Sequence, residues 1–175
     1  MQITILGAGA GGTAVAFDCA SRGHDVRMFD FEQFPENIAA IADKGGISAE
    51  GDLSGFGSIS YSGHDIDEAL QGAELIYVVG PAYSTEPFGQ ALAGKLIEGQ
   101  TVIVSPGSCG GALALKRAAE LALDDAAVRI AETSTLPYAV PDPTRQDPRV
   151  LETQGRQPVG GIAGQAYERH PGTHC

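Results

Sequence analysis

The stretch Ile3-Thr4-Ile5-Leu6-Gly7-Ala8-Gly9-Ala10-Gly11-Gly12 decides the fold. Its first four residues are an apolar run of strand type, and its last six spell G-x-G-x-x-G through Gly7, Gly9 and Gly12. In that pattern the first glycine permits a tight turn, the second leaves the backbone bare for close approach of a pyrophosphate, and the third lets the following helix lie against the strand. Thr13 to Ala20 continues as an apolar helix closed by Gly23, a suitable residue just past a helix end. The free N–H groups and positive dipole end of that helix would face the phosphates. A second strand, Asp25 to Phe29, runs into Asp30, 18 residues after Gly12. There a carboxylate can accept hydrogen bonds from the ribose of an adenosine. Strand, turn, helix, strand and acid together make a dinucleotide site, whereas a lone glycine motif in a chain with 24 glycines would not.

Working outward, Phe34 to Ala42 reads as a short helix with Pro35 in its first turn and Gly45-Gly46 at its end. Ile47 to Ser62 alternates loosely through Ile47, Ala49, Leu53, Phe56, Ile59 and Tyr61, which predicts a β-hairpin or a pair of short edge strands. Asp65 to Leu70 is an acid-led helical turn with His64 or Asp65 near its cap, and His64 itself is expected to be a solvated loop residue. Glu74 to Val79 is an uninterrupted apolar run, as a parallel strand covered on both faces requires. A helix from Ser84 through Leu96, a strand at Thr101 to Val104, a helix from Gly111 to Leu123 and a strand from Val128 to Glu132 follow. Strands alternating with helices at this spacing predict an α/β fold, a doubly wound and mainly parallel sheet of Rossmann type with a small hairpin insertion. In such sheets ligands sit outside the carboxyl ends of the strands. Here those ends fall at Gly7, Gly80-Pro81, Ser105-Pro106-Gly107 and Glu132-Thr133.

The chain has 175 residues, 43% of them hydrophobic, enough for one domain with a core. A net charge of −11 argues against a nucleic-acid partner, which would need clustered Lys and Arg. The first strand begins at Gln2 and no apolar run approaches membrane-spanning length, so a cytoplasmic protein without a membrane partner is expected. Cys19, Cys109 and Cys175 have no metal or disulfide spacing. Cys19 is expected to be a small buried residue and Cys109 to pack at a helix start, with no His placed to make it a nucleophile.

Five segments, GAGAGG, GISAEGDLSGFG, VVGPAYS, SPGSCGGALALKR and ETSTLPYA, closely resemble the N-terminal domain of the opine (octopine/nopaline) dehydrogenase family, over about residues 1–139. Ketopantoate reductases and glycerol-3-phosphate dehydrogenases share the fold but not the ETS-x-LPYA and PGS-x-GGAL wording. The resemblance implies a reductive condensation of an amino acid with a 2-keto acid, the imine taking hydride from a nicotinamide dinucleotide. It implies pyrophosphate contacts at Gly7, Gly9, Ala10 and Gly12, the ribose at Asp30, and Val79, Pro81 and Glu132 near the nicotinamide half. Asp30, with no Lys or Arg just after it, favours NAD, with NADP not excluded.

Family members carry the catalytic His and its acidic partner in a helical C-terminal domain, which is expected to be absent here, so no catalytic residue and no metal site is assigned. From Ala139-Val140 onward the text changes: prolines accumulate, lysine vanishes, and an irregular tail is expected over 140–175. A slip of reading frame near codon 139 is the expected cause, since back-translation one base later can restore the Cys-Arg, Pro-Gly and Ala-Ala-Leu-Pro order of the family. Resequencing tests this: an unbroken frame with no catalytic-domain coding downstream would dismiss it. The chain alone is then expected to be inactive and to expose an apolar face that a homodimer could cover. Two alternatives stand beside that reading: a stand-alone NAD(H)-binding sensor acting through a partner, and an inert fragment.

Overall fold

The computed structural model describes residues 1–49, 54–139, 152–153 and 159–161. In chain order its elements are β1 (Gln2–Leu6), α1 (Ala10–Ser21), β2 (Asp25–Phe29), α2 (Pro35–Lys44), β3 (Gly46–Ala49), β4 (Gly55–Ser58), β5 (Tyr61–Gly63) and α3 (Ile66–Leu70). They continue as β6 (Leu75–Val79), α4 (Thr85–Leu92), β7 (Thr101–Ser105), α5 (Gly111–Ala118), β8 (Arg129–Thr133), β9 (Tyr138–Ala139), β10 (Glu152–Thr153) and β11 (Val159–Gly161).

Six parallel strands lie in the order β5-β2-β1-β6-β7-β8, the doubly wound arrangement, and β11 adds to β8 antiparallel at the edge. The sequence reverses direction across the sheet between β1 and β6, which places the switch point beside the glycine turn. Alternation along β1 sends Ile3 and Ile5 to one face and Leu6 to the other, because successive Cβ atoms of a strand point to opposite sides. On the first face they pack with Val15 and Ala16 of α1 and with Ile38 and Ile41 of α2. On the second, Leu6 joins Ile76, Val78, Val102 and Val104 beneath Leu70 of α3, Phe88 and Leu92 of α4, and Leu115 of α5. Burying a side chain of the Leu92 or Leu115 kind contributes about 1.5–3 kcal/mol. The one hydroxyl inside β1, Thr4 Oγ1, donates to the Ala69 carbonyl at 2.6 Å, so its burial leaves no orphan.

The expected elements are present, with boundaries moved for local reasons. The hairpin forms from β3 and β4 as a separate two-stranded sheet resting on α1, where bare Gly57 meets Phe17 and Ala20. Tyr61 to Gly63 instead pairs with β2 and extends the main sheet. The helix expected to reach Leu96 stops at Leu92, since Ala93 turns extended and Gly94 takes φ +69°. The helix expected to reach Leu123 stops at Ala118. There Lys116 Nζ donates to the carbonyls of Leu123 and Asp125, at 2.9 and 2.7 Å, and draws the chain back on itself through a left-handed Glu120. Among the described residues no helix is long and apolar enough to cross a membrane. The irregular tail expected over 140–175 lies outside the described residues, apart from the two short strands β10 and β11.

Candidate dinucleotide site

The glycine turn between β1 and α1 is fixed from several sides. Gly7 takes φ +106°, and a Cβ on it would lie closer than 3.0 Å to the Val79 carbonyl oxygen, so only glycine fits. Its N–H donates to the Phe29 carbonyl at 2.8 Å, tying the turn to the end of β2. Gly12 packs its bare Cα against the Gly7 carbonyl, holding α1 close to β1. Gly9 is exposed and different in kind: a Cβ built there would meet nothing within 4 Å. Ala10 begins α1 beside it, and no side chain caps the helix or puts an acid in its first turn.

Asp30, 8% exposed, closes the turn from the β2 side. Its Oδ2 accepts from the Ala8 N–H at 2.7 Å and its Oδ1 from the Phe31 N–H at 2.8 Å. Each oxygen keeps a lone pair for a further donor, such as a sugar hydroxyl. Asn37, in α2, reaches the same loop, its Nδ2 donating to the Ala8 carbonyl at 2.8 Å. Below them lies a cavity of about 270 Å³ bounded by Gly7, Gly9, Asp30, Asn37 and the β6 end at Val79, Gly80 and Pro81. Phe31 stacks on Phe88, with ring centroids 5.1 Å apart, to form an apolar wall, and Phe34 and the 82%-exposed Tyr83 stand at the rim. The charged residues lining it, Asp30 and Glu36, are both acidic.

The structure therefore brings Gly7, Gly9, Asp30, Val79 and Pro81 around one cavity, with Ala10 and Gly12 in the adjoining first turn of α1. Glu132 does not line that cavity. That side chain lies on β8 and caps α5, its Oε1 accepting from the Gly110 N–H at 3.2 Å and its Oε2 from the Ala112 N–H at 2.8 Å. The two glycine-led helix starts thus differ: an internal carboxylate occupies the anion-favouring end of α5, while that of α1 is open.

His64 is half-buried, not solvated, and its Nδ1 donates to the Asp30 carbonyl at 2.7 Å, bracing the backbone of the acid. Cys109 is exposed at φ 68° in the turn before α5. Cys19 is half-buried, and burial, with Asp18 beside it, pushes its thiol up to about 11. The ETSTLPYA segment folds back over α1: Leu136 covers the bare Cα of Gly11, and the Tyr138 hydroxyl donates to Asp18 Oδ2 at 2.5 Å. Burial and then that hydrogen bond raise the Tyr138 phenol well above its ordinary range. Among the described residues no group of His, Cys, Asp and Glu is placed to hold a metal ion.

Asn37 and the aromatic wall escaped the sequence reading because each sits in a run that reads as helix or core. The available signals were an amide one turn into the helix after the acid and the spacing Phe31-x-x-Phe34.

With this geometry in place, the comparisons with known proteins are specific. The family model described as NAD-dependent glycerol-3-phosphate dehydrogenase N-terminus matches residues 2–107. Opine dehydrogenase of Arthrobacter sp. (strain 1C) is 35% identical over 114 residues, 65% of this chain and 31% of that protein. Octopine dehydrogenase, solved with NADH and agmatine, superposes with a TM-score of 0.66 at 21% identity, over 79% of this chain and 36% of that one. Glycerol-3-phosphate dehydrogenase of Coxiella burnetii does so with a TM-score of 0.56 at 18% identity, over 75% of this chain and 40% of that one. At these identities the structural likeness speaks for the fold. The chain spans about a third of the length of the opine and octopine dehydrogenases it matches.

Proposed function

Because this chain belongs to the family of N-terminal domains of NAD-dependent glycerol-3-phosphate dehydrogenase, we propose that it is the NAD(H)-binding part of an opine dehydrogenase-like oxidoreductase. The observation that carries the reading is the open start of α1: a bare, exposed Gly9 before an uncapped helix, next to a cavity floored by Asp30. The diphosphate would lie against Gly7, Gly9, Ala10 and Gly12, drawn by the free N–H groups and dipole of the helix. Asp30 would accept from the adenosine ribose, and the Phe31 and Phe88 wall would exclude water from the base. Val79 and Pro81 bound the path from there toward the nicotinamide. Glu132, besides holding the start of α5, would lie near the nicotinamide half.

When bound, the dinucleotide would supply hydride to the imine carbon in the condensation of an amino acid with a 2-keto acid. The residues of this chain bind and orient; none of residues 1–139 is assigned to the proton transfers of that reaction. Residues 1–139 form the cofactor unit in this proposal. Neither a nucleic acid nor a membrane takes part in it.

Two carboxylates and no base in the cavity favour the plain ribose over its 2′-phosphate, so NADH should bind at least about tenfold more tightly than NADPH. Calorimetric titration of the purified chain with both cofactors tests this, and binding of neither would remove the reading. NADH oxidation in the presence of amino acid and keto acid is expected to be absent for this chain alone.

A further inference from the structure

Resting on the proposed function, we infer that Asn37 is a positioning residue for the diphosphate, acting through the peptide between Ala8 and Gly9. The Ala8 residue is gripped at both ends: its N–H by Asp30 Oδ2 at 2.7 Å, its carbonyl by Asn37 Nδ2 at 2.8 Å. The peptide that follows is trans, since the one cis bond among the described residues is Ser105–Pro106. In a trans peptide the C=O and N–H point in opposite directions. Holding the Ala8 carbonyl toward α2 therefore turns the Gly9 N–H away from α2.

This matters because the loop has an alternative. Gly9 carries no Cβ, so no side chain of its own opposes rotation of the Ala8–Gly9 peptide. A flipped peptide would present a carbonyl dipole to an incoming anion where an N–H should be. The Asn37 amide, anchored by its backbone in the first turns of α2, supplies the restraint that the glycine cannot. Asp30 reinforces it from the other side of the same residue, and Gly7 is separately tied to Phe29, so the whole turn is set before a ligand arrives. A preset donor spares the ligand the cost of ordering it.

The test is fluorescence and calorimetric titration of the full chain and its Asn37→Ala variant with three ligands: NADH, ADP and adenosine. Losing one restraining hydrogen bond should weaken NADH and ADP, which carry the diphosphate, by about tenfold, and weaken adenosine, whose cavity Asn37 also lines, by no more than about threefold. Asn37→Asp should weaken the first two further, because a carboxylate can only oppose the Ala8 carbonyl and adds a negative charge near the diphosphate. Should Asn37→Ala melt well below the parent chain, Asn37→Ser, which keeps a donor, replaces it and should fall between Asn and Asp. Equal NADH affinity in the parent chain and Asn37→Ala would overturn the inference and leave the proposed function standing. Equal weakening of all three ligands would also overturn it, since the residue would then only shape the cavity. No NADH binding by the parent chain would remove both.

Discussion

Gly9 and Gly12 occupy neighbouring places in one motif, yet substitution to alanine should act on them in opposite ways. Gly9 has φ −68° and ψ 179°, which any residue adopts, and a Cβ there meets nothing within 4 Å. Gly9→Ala gains about 0.4–1 kcal/mol from a less flexible unfolded chain. It gives back about 0.5 kcal/mol because alanine is the poorer residue at a helix N-cap. The melting temperature should stay within about 2 °C of the parent. Its methyl, however, fills the space through which a diphosphate would approach the backbone. Charge-assisted hydrogen bonds of that kind contribute about 1.5–3 kcal/mol each, so NADH affinity should fall at least about tenfold. Gly12→Ala puts a Cβ 2.9 Å from the Gly7 carbonyl carbon and closer still to its oxygen, both backbone atoms that cannot rotate away. Overpacking of this kind costs about 1–3 kcal/mol, or roughly 3–9 °C in a domain of this size. Thermal melting and NADH titration on both variants are the assays. A Gly9→Ala protein that binds NADH like the parent would refute the placement of the diphosphate. A Gly12→Ala protein that melts like the parent would refute the packing argument.

Other consequences follow from the same contacts. Asp30→Ala should bring NADPH affinity closer to that of NADH by titration, and also lower the melting temperature, because the Ala8 and Phe31 N–H groups both lose an acceptor. An unchanged ratio of the two affinities would count against Asp30 as the discriminating group. The raised Tyr138 phenol means that its folded form resists ionisation. Its stabilising contribution is complete below the ordinary tyrosine value of 10.0 and is lost as pH rises through the higher folded value. Tyr138→Phe should therefore cost about 1 kcal/mol in urea melts at neutral pH and show a smaller loss of stability above pH 10 than the parent; an equal alkaline loss would refute it. Alkylation with peptide mapping near neutral pH should modify exposed Cys109 well before Cys19, whose buried thiol is shifted up to about 11; the reverse order would contradict that placement.

The succession of elements was readable because each rests on local chemistry. β1 and β6 are apolar runs bounded by glycine, Asp65 accepts from the Asp67 and Glu68 N–H groups as a helix cap should, and Gly45 ends α2 in the left-handed conformation. Helix lengths were less readable where a distant group decides them. Nothing adjacent in sequence predicts that the buried Lys116 ammonium will collect the carbonyls of Leu123 and Asp125 and end α5 early. The candidate site divides in the same way: Gly7, Gly9, Gly12 and Asp30 announce themselves by spacing, while Phe31, Phe34 and Asn37 look like ordinary core and helix residues until β2 and α2 are placed beside the glycine turn.

What the sequence determined by itself was the alternation of strand and helix and the place of the glycine turn, since both depend on periodicity and on glycines whose requirement is local. What only the tertiary structure decided was which backbone groups each acid holds. Asp30 and Glu132 both stand near the carboxyl ends of parallel strands. In three dimensions each carboxylate accepts two backbone N–H groups, Asp30 those of Ala8 and Phe31 beside the cavity and Glu132 those of Gly110 and Ala112 at the start of α5, because a carboxylate takes whichever N–H donors the packing of helices on the sheet brings within reach.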